Sequence, residues 1–68
     1  MSVVKVIEVL AQSDESWEAA AQEALTEASK SVRNIQSLYI KEFQAIVENN
    51  QISKYRVNAK ISFKVGEQ

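Results

Sequence analysis

Between Ser13 and Arg33 the apolar residues fall at Trp17, Ala20, Ala21, Ala24, Leu25, Ala28 and Val32. Steps of three and four follow one face of a helix and fit no strand period. Glu15, Glu18, Gln22, Glu23, Thr26, Glu27, Lys30 and Arg33 fill the opposite face. The Ser13 hydroxyl is expected to cap the first turn, with Asp14 and Glu15 at the positive end of the helix dipole. Lys30 and Arg33 then sit near the negative end. Asn34 is the expected terminator because asparagine tolerates a left-handed backbone. The stripe is mostly alanine, so its cover must approach closely. A flat sheet suits it better than a ridged helix.

The flanking segments carry a different period. Val3 to Leu10 is short and rich in β-branched residues, which predicts a strand. Val3, Lys5, Ile7 and Val9 share one face, and Val4, Val6, Glu8 and Leu10 the other. Ile35 to Val47 predicts a second strand, of mixed pattern. Ile52 to Val65 alternates cleanly, with Tyr55, Val57, Ala59, Ile61, Phe63 and Val65 against Lys54, Arg56, Asn58, Lys60, Ser62 and Lys64. Between these two, Glu48-Asn49-Asn50-Gln51 is the strongest turn signal, because asparagine accepts positive φ in a two-residue hairpin turn. Counted back from that turn, Leu38 lies beside Ile61 and Ile40 beside Ala59 on the helix side. On the other side Phe43 meets Arg56, Tyr39 meets Lys60 and Ser37 meets Ser62. The expectation is one α+β domain over residues 1–68, ordered β-α-β-β, its three-stranded antiparallel sheet wrapped around one helix.

Size changes the picture. A chain of 68 residues buries only about 60% of the surface its unfolded form exposes, so an isolated core has little margin. Disulfides are impossible without cysteine, and a zinc site has no histidine or cysteine to use. Oligomerisation is the remaining remedy. Net charge is −1, which argues against nucleic acid as a partner. The N-terminal stretch is too short and too charged for a signal peptide, and no apolar run could span a bilayer. No membrane partner is expected, and the cytoplasm is the expected location.

Candidate chemistry is confined to a few groups. Arg56, Lys60 and Lys64, with Tyr39 and Phe43 alongside, could hold a phosphorylated ligand or stack a nucleobase; the competing reading is a solvated or interior-facing sheet surface with intersubunit salt bridges. Trp17 reads as packing rather than as a ligand platform. Asp14, Glu15 and Glu18, or Glu23 and Glu27, could offer oxygen ligands to calcium or magnesium, although within one chain a solvated acidic helix face is the favoured reading. At a symmetry axis a lone carboxylate becomes a cluster, which adds Glu42 and Glu48. The metal ligands themselves stay unassigned. Without histidine, cysteine, a phosphate-binding glycine loop or a nucleophile elbow, no enzyme is expected.

Val4-Lys5-Val6-Ile7-Glu8-Val9, Ser13-x-x-Ser16-Trp17-x-x-Ala20-Ala21 with Ala24, Tyr55-x-Val57 and Ser62-Phe63-Lys64 together resemble the dodecin family over nearly the whole chain. The resemblance implies β-α-β-β subunits in a hollow dodecamer that stores or buffers a ligand. In many members the ligand is flavin, held in pairs between tryptophans, and in some it is coenzyme A or an ion. Ser37 stands where the stacking tryptophan belongs, Arg56 replaces the glutamine that bonds the flavin ring, and Ala11 replaces a glycine. Flavin binding is therefore expected to be weak or lost, with calcium a candidate, as in the dodecin branch that lacks the same tryptophan. The ligand-binding positions implied are Ser37 and Arg56, and Tyr39, Phe43 and Lys60 join them from the face read above. Two alternatives stand beside storage of a small molecule or ion: a flavin binder in which Tyr39 or Phe43 replaces the tryptophan, and a purely structural homo-oligomer.

Overall fold

The structure is a computed structural model and describes residues 3–66. It contains β1 (Val3–Ser13), α1 (Trp17–Ser29), β2 (Ile35–Glu48) and β3 (Gln51–Val65). The strands form one antiparallel sheet in the order β1-β3-β2, so the last strand lies in the centre. The α+β arrangement expected from the periodicity is the one found.

Three boundaries differ from the expectation by several residues. β1 does not stop at Leu10, because Ala11, Gln12 and Ser13 continue its alternation and pair with Val57, Arg56 and Tyr55. The helix therefore starts later, and its cap is Ser16 rather than Ser13. Ser16 has an extended backbone, and its hydroxyl accepts the Ala19 N–H at 2.9 Å. Ser13 instead accepts the Glu15 N–H at 2.9 Å, a local turn that bends the chain from strand to helix. At the other end Lys30 is the closing residue, and no basic side chain lies in the last turn. Its ammonium bonds Glu27 at 2.8 Å, and that hydrogen bond and charge raise the lysine above its ordinary pKa. Any stability from this pair is present below the ordinary lysine value and lost as pH rises through the raised one; the pair is exposed and solvent-screened. Asn34 has the left-handed backbone expected of it, with φ of 61°, but it lies four residues beyond Lys30 and does not terminate the helix, which ends at Ser29 and not at Arg33.

The alanine stripe behaves as the flat-cover argument requires. Ala20, Ala24 and Ala28 are buried, as are Val57, Ala59 and Ile61 of the central strand. Ala20 and Ala59 are both 0% exposed, so small residues on both elements allow close approach of helix to sheet. Among these only Ile61 and Val57 are large. Trp17 closes one end: its ring meets Tyr55 edge-on at 4.9 Å and Phe43 at 5.8 Å. Its indole N–H donates to the Gln44 carbonyl at 3.1 Å.

The β2–β3 hairpin turns at Asn49 (φ 53°) and Asn50 (φ 63°), and Glu48 faces Gln51 as expected. Leu38 with Ile61, Ile40 with Ala59, Tyr39 with Lys60 and Ser37 with Ser62 are also observed. The middle of the hairpin differs. An unpaired Ser53 on β3 and an unpaired Lys41 on β2 are bulges on opposite strands, so the segment between them slides by one residue and the shift cancels beyond. Phe43 consequently faces Val57, on the helix side, and not Arg56; Gln44 takes that place. A third bulge at Gln36 brings Ile35 opposite Phe63, also on the helix side, although simple alternation placed it on the opposite one. The chain is long and thin, 51 × 19 × 13 Å, with a radius of gyration of 13.9 Å. A compact domain of this length has about 11 Å.

Candidate ligand face

The far face of the sheet, turned away from α1, collects four of the five side chains expected to bind a ligand. Central strand β3 contributes Arg56, Lys60 and Lys64, alternating with Asn58 and Ser62. β1 places Gln12 beside Arg56, Glu8 beside Lys60 and Val4 beside Lys64. β2 places Gln44 beside Arg56, Tyr39 beside Lys60 and Ser37 beside Ser62. None of the described residues covers this face. Val4, Val6, Leu10 and Tyr39 are 54%, 57%, 62% and 65% exposed, so the face mixes cations with uncovered apolar side chains.

The polar groups are paired in a definite way. The Ser37 and Ser62 hydroxyls lie 2.6 Å apart in a hydrogen bond. Arg56 donates from Nε at 3.0 Å and from Nη2 at 2.6 Å to the same oxygen, Oε1 of Gln12. Lys41, at its bulge, reaches Glu8 at 3.5 Å. Asn58 Oδ1 is buried and has no hydrogen-bond partner among the described residues.

Of the five expected ligand residues, Ser37, Tyr39, Arg56 and Lys60 share the far face, and Phe43 does not, because the Lys41 bulge turns it toward Trp17. The four are not one pocket within a chain. Ser62, the partner of Ser37, lies six residues along β3 from Arg56, roughly 20 Å at the rise of a strand. A ligand much shorter than that cannot touch both ends of one chain's face. Sequence reasoning missed Gln12 and Gln44 beside Arg56. Gln12 lies beyond the predicted end of β1 at Leu10, and its position follows only from the β1–β3 register; Gln44 reaches the face through a bulge.

The acidic candidates do not converge either. Asp14, Glu15 and Glu23 line an open cleft of about 390 Å³ with Gln12, Ser13 and Lys54. Among the described residues no three acidic groups stand close enough to hold a metal ion. Glu27 is paired with Lys30, Glu42 stands opposite Asn58 on the far face, and Glu48 closes the hairpin. A second groove, of about 500 Å³, runs between the later half of α1 and the start of β2, floored by Leu25, Ile35 and Leu38. No described helix is long and apolar enough to cross a membrane.

Comparison with known proteins agrees with this architecture. The Dodecin family profile matches residues 3–66. The calcium dodecin of Mycobacterium tuberculosis is 38% identical over 65 residues, covering 96% of this chain and 92% of that protein. The dodecin of Thermus thermophilus is 31% identical over 65 residues, covering 96% and 94%. Among solved structures, a Thermus thermophilus protein superposes with a TM-score of 0.93 at 29% identity over the full length of both chains. The crystal structure of the Mycobacterium tuberculosis protein, described as a calcium-chelating antigen with a novel calcium-binding site, superposes with a TM-score of 0.84. It is 36% identical and covers 98% of this chain and 96% of that one. With its fold, its residues 3–66 and its relatives in agreement, the chain belongs to the dodecin family.

Proposed function

We propose that this chain is a non-enzymatic dodecin that stores or buffers a small ligand or ion inside a closed homo-oligomer, a hollow dodecamer, and that its affinity for flavin is weak or absent. The carrying observation is the far face. It presents Arg56, Lys60 and Lys64 beside uncovered Val4, Val6 and Tyr39, with no tryptophan on it. Losing an aromatic platform removes stacking of about 1–3 kcal/mol per ring, by analogy with base stacking. A guanidinium has only donors, so Arg56 cannot supply the paired donor and acceptor of a glutamine amide. The remaining chemistry favours an anionic or phosphorylated small molecule such as coenzyme A. Calcium is supported by the relative that is 38% identical and named for it, and its ligands would then come together from several copies.

The rival flavin reading keeps one supporting observation: Tyr39 is 65% exposed on the same face as Arg56 and Lys60. Phe43 cannot play that part from the helix side. The absorbance spectrum and metal content of the purified protein separate the readings, and riboflavin titration followed by fluorescence quenching gives the affinity. A colourless protein with no submicromolar riboflavin binding is the expected result. Ser37→Trp combined with Arg56→Gln should gain affinity. Tight riboflavin binding by the unaltered protein would overturn the proposal. Protein that carries no metal and binds neither flavin nor coenzyme A would favour a purely structural assembly.

A further inference from the structure

We infer that Gln12 is a positioning residue that presets Arg56 as a two-pronged receptor for an oxyanion, the shared chemistry of carboxylates and phosphate esters. This rests on the reading of the far face as the ligand face.

Geometry carries the inference. A guanidinium has five N–H donors in a fixed plane. Gln12 Oε1 takes the Nε hydrogen and one Nη2 hydrogen, at 3.0 and 2.6 Å. That engages one side of the plane. The terminal edge, formed by Nη1 and the other Nη2 hydrogen, is left as a parallel pair, and this fork matches two oxygens of a carboxylate or phosphate. The holding group is a neutral amide, so the charge is steered without being cancelled. Neither ion pair among the described residues involves Arg56: Lys30 is paired with Glu27 and Lys41 with Glu8. The acids that face this region are Glu8, tied to Lys41, and Glu42, one ladder position away opposite Asn58. Gln44, directly across from Arg56 on the other neighbouring strand, exposes a second amide to the same ligand. Arg56 thus sits between two glutamines on adjacent strands, one holding it and one open. A glutamic acid at position 12 would fit the same space and would consume the charge.

Calorimetric titration of the assembled protein at low ionic strength tests this with three probes: inorganic phosphate, acetate and chloride. Binding of phosphate, acetate or both is expected, and whichever binds names the oxyanion class. Arg56→Ala should weaken oxyanion binding at least roughly tenfold, the scale of one charge-assisted hydrogen bond. Gln12→Ala should weaken oxyanion binding by several-fold and leave chloride binding unchanged, because a sphere needs charge but no orientation. Gln12→Glu should weaken all three. Loss of oxyanion over chloride selectivity is a readout that a merely structural glutamine would not move, and Gln12 is exposed, so its variants should fold. If Arg56→Ala weakens binding while Gln12→Ala titrates like the parent, the positioning role is wrong and the ligand face stands. If Arg56→Ala changes nothing, or neither oxyanion binds the parent, the face itself is misassigned and the inference falls with it.

Discussion

Asn58 states the problem of this molecule in a single side chain. Its Oδ1 is buried without a partner among the described residues, in the middle of the central strand between Leu10 and Glu42. An unsatisfied buried acceptor costs about 1–3 kcal/mol. Replacing it by an apolar group of similar shape removes that cost, so Asn58→Leu is expected to stabilise the protein by about 1 kcal/mol in thermal or denaturant unfolding. A fall in stability would mean that the oxygen is satisfied elsewhere, by a donor from another copy. The alanines show the opposite condition, a residue type wholly explained by its surroundings. At Ala20 and Ala24 any larger side chain meets the sheet, and this was readable from the stripe alone.

At the scale of elements, periodicity located every strand and the helix, while boundaries and faces depended on side-chain chemistry that periodicity does not carry. The capping hydroxyl is an example, since Ser13 and Ser16 both precede the apolar run. Only the observed bond from the Ala19 N–H to Ser16 separates them. Ser16→Ala should therefore cost about 1 kcal/mol. Ser13→Ala, which loses only a turn contact, should cost less; equal losses in denaturant midpoint would reverse the assignment. The hairpin holds the other instance. The turn at Asn49-Asn50 set the register, and alternation carried it correctly to Leu38 and Ile61. The segment from Glu42 to Ile46 was off by one, because unpaired residues carry no signature in an otherwise regular pattern. Phe43 was lost to the candidate site for that reason, and Gln44 was missed.

The whole molecule is more open than a compact monomer of its mass. It exposes 5109 Å², where a compact monomer of its mass would expose about 4,300 Å². Its excess is apolar in part: Val4, Val6, Leu10, Tyr39, Phe43 and Val47 are all more than half exposed. Burying each such side chain is worth roughly 1.5–3 kcal/mol, comparable in sum with the whole stability of a small domain. Both outer strands, β1 and β2, also leave an unpaired edge. Assembly of copies answers all three conditions, so unfolding midpoints should rise with protein concentration wherever subunit exchange is reversible. Sedimentation at micromolar concentration checks the premise, and a folded particle of one chain's mass would refute it.

The bulges at Lys41 and Ser53 have a meaning beyond register. Each adds local twist and bends the strand that carries it, and a shell closes only if every subunit bends by the right angle. Residues without a ladder partner can then act as the setting of particle size. Deleting Lys41 leaves every ladder partner in place, from Ile40 with Ala59 to Glu42 with Asn58. The shortened chain should keep its circular dichroism and its core while losing part of its curvature. Its particles should differ in sedimentation coefficient from those of the parent, or be heterogeneous. Identical particles would assign the curvature elsewhere.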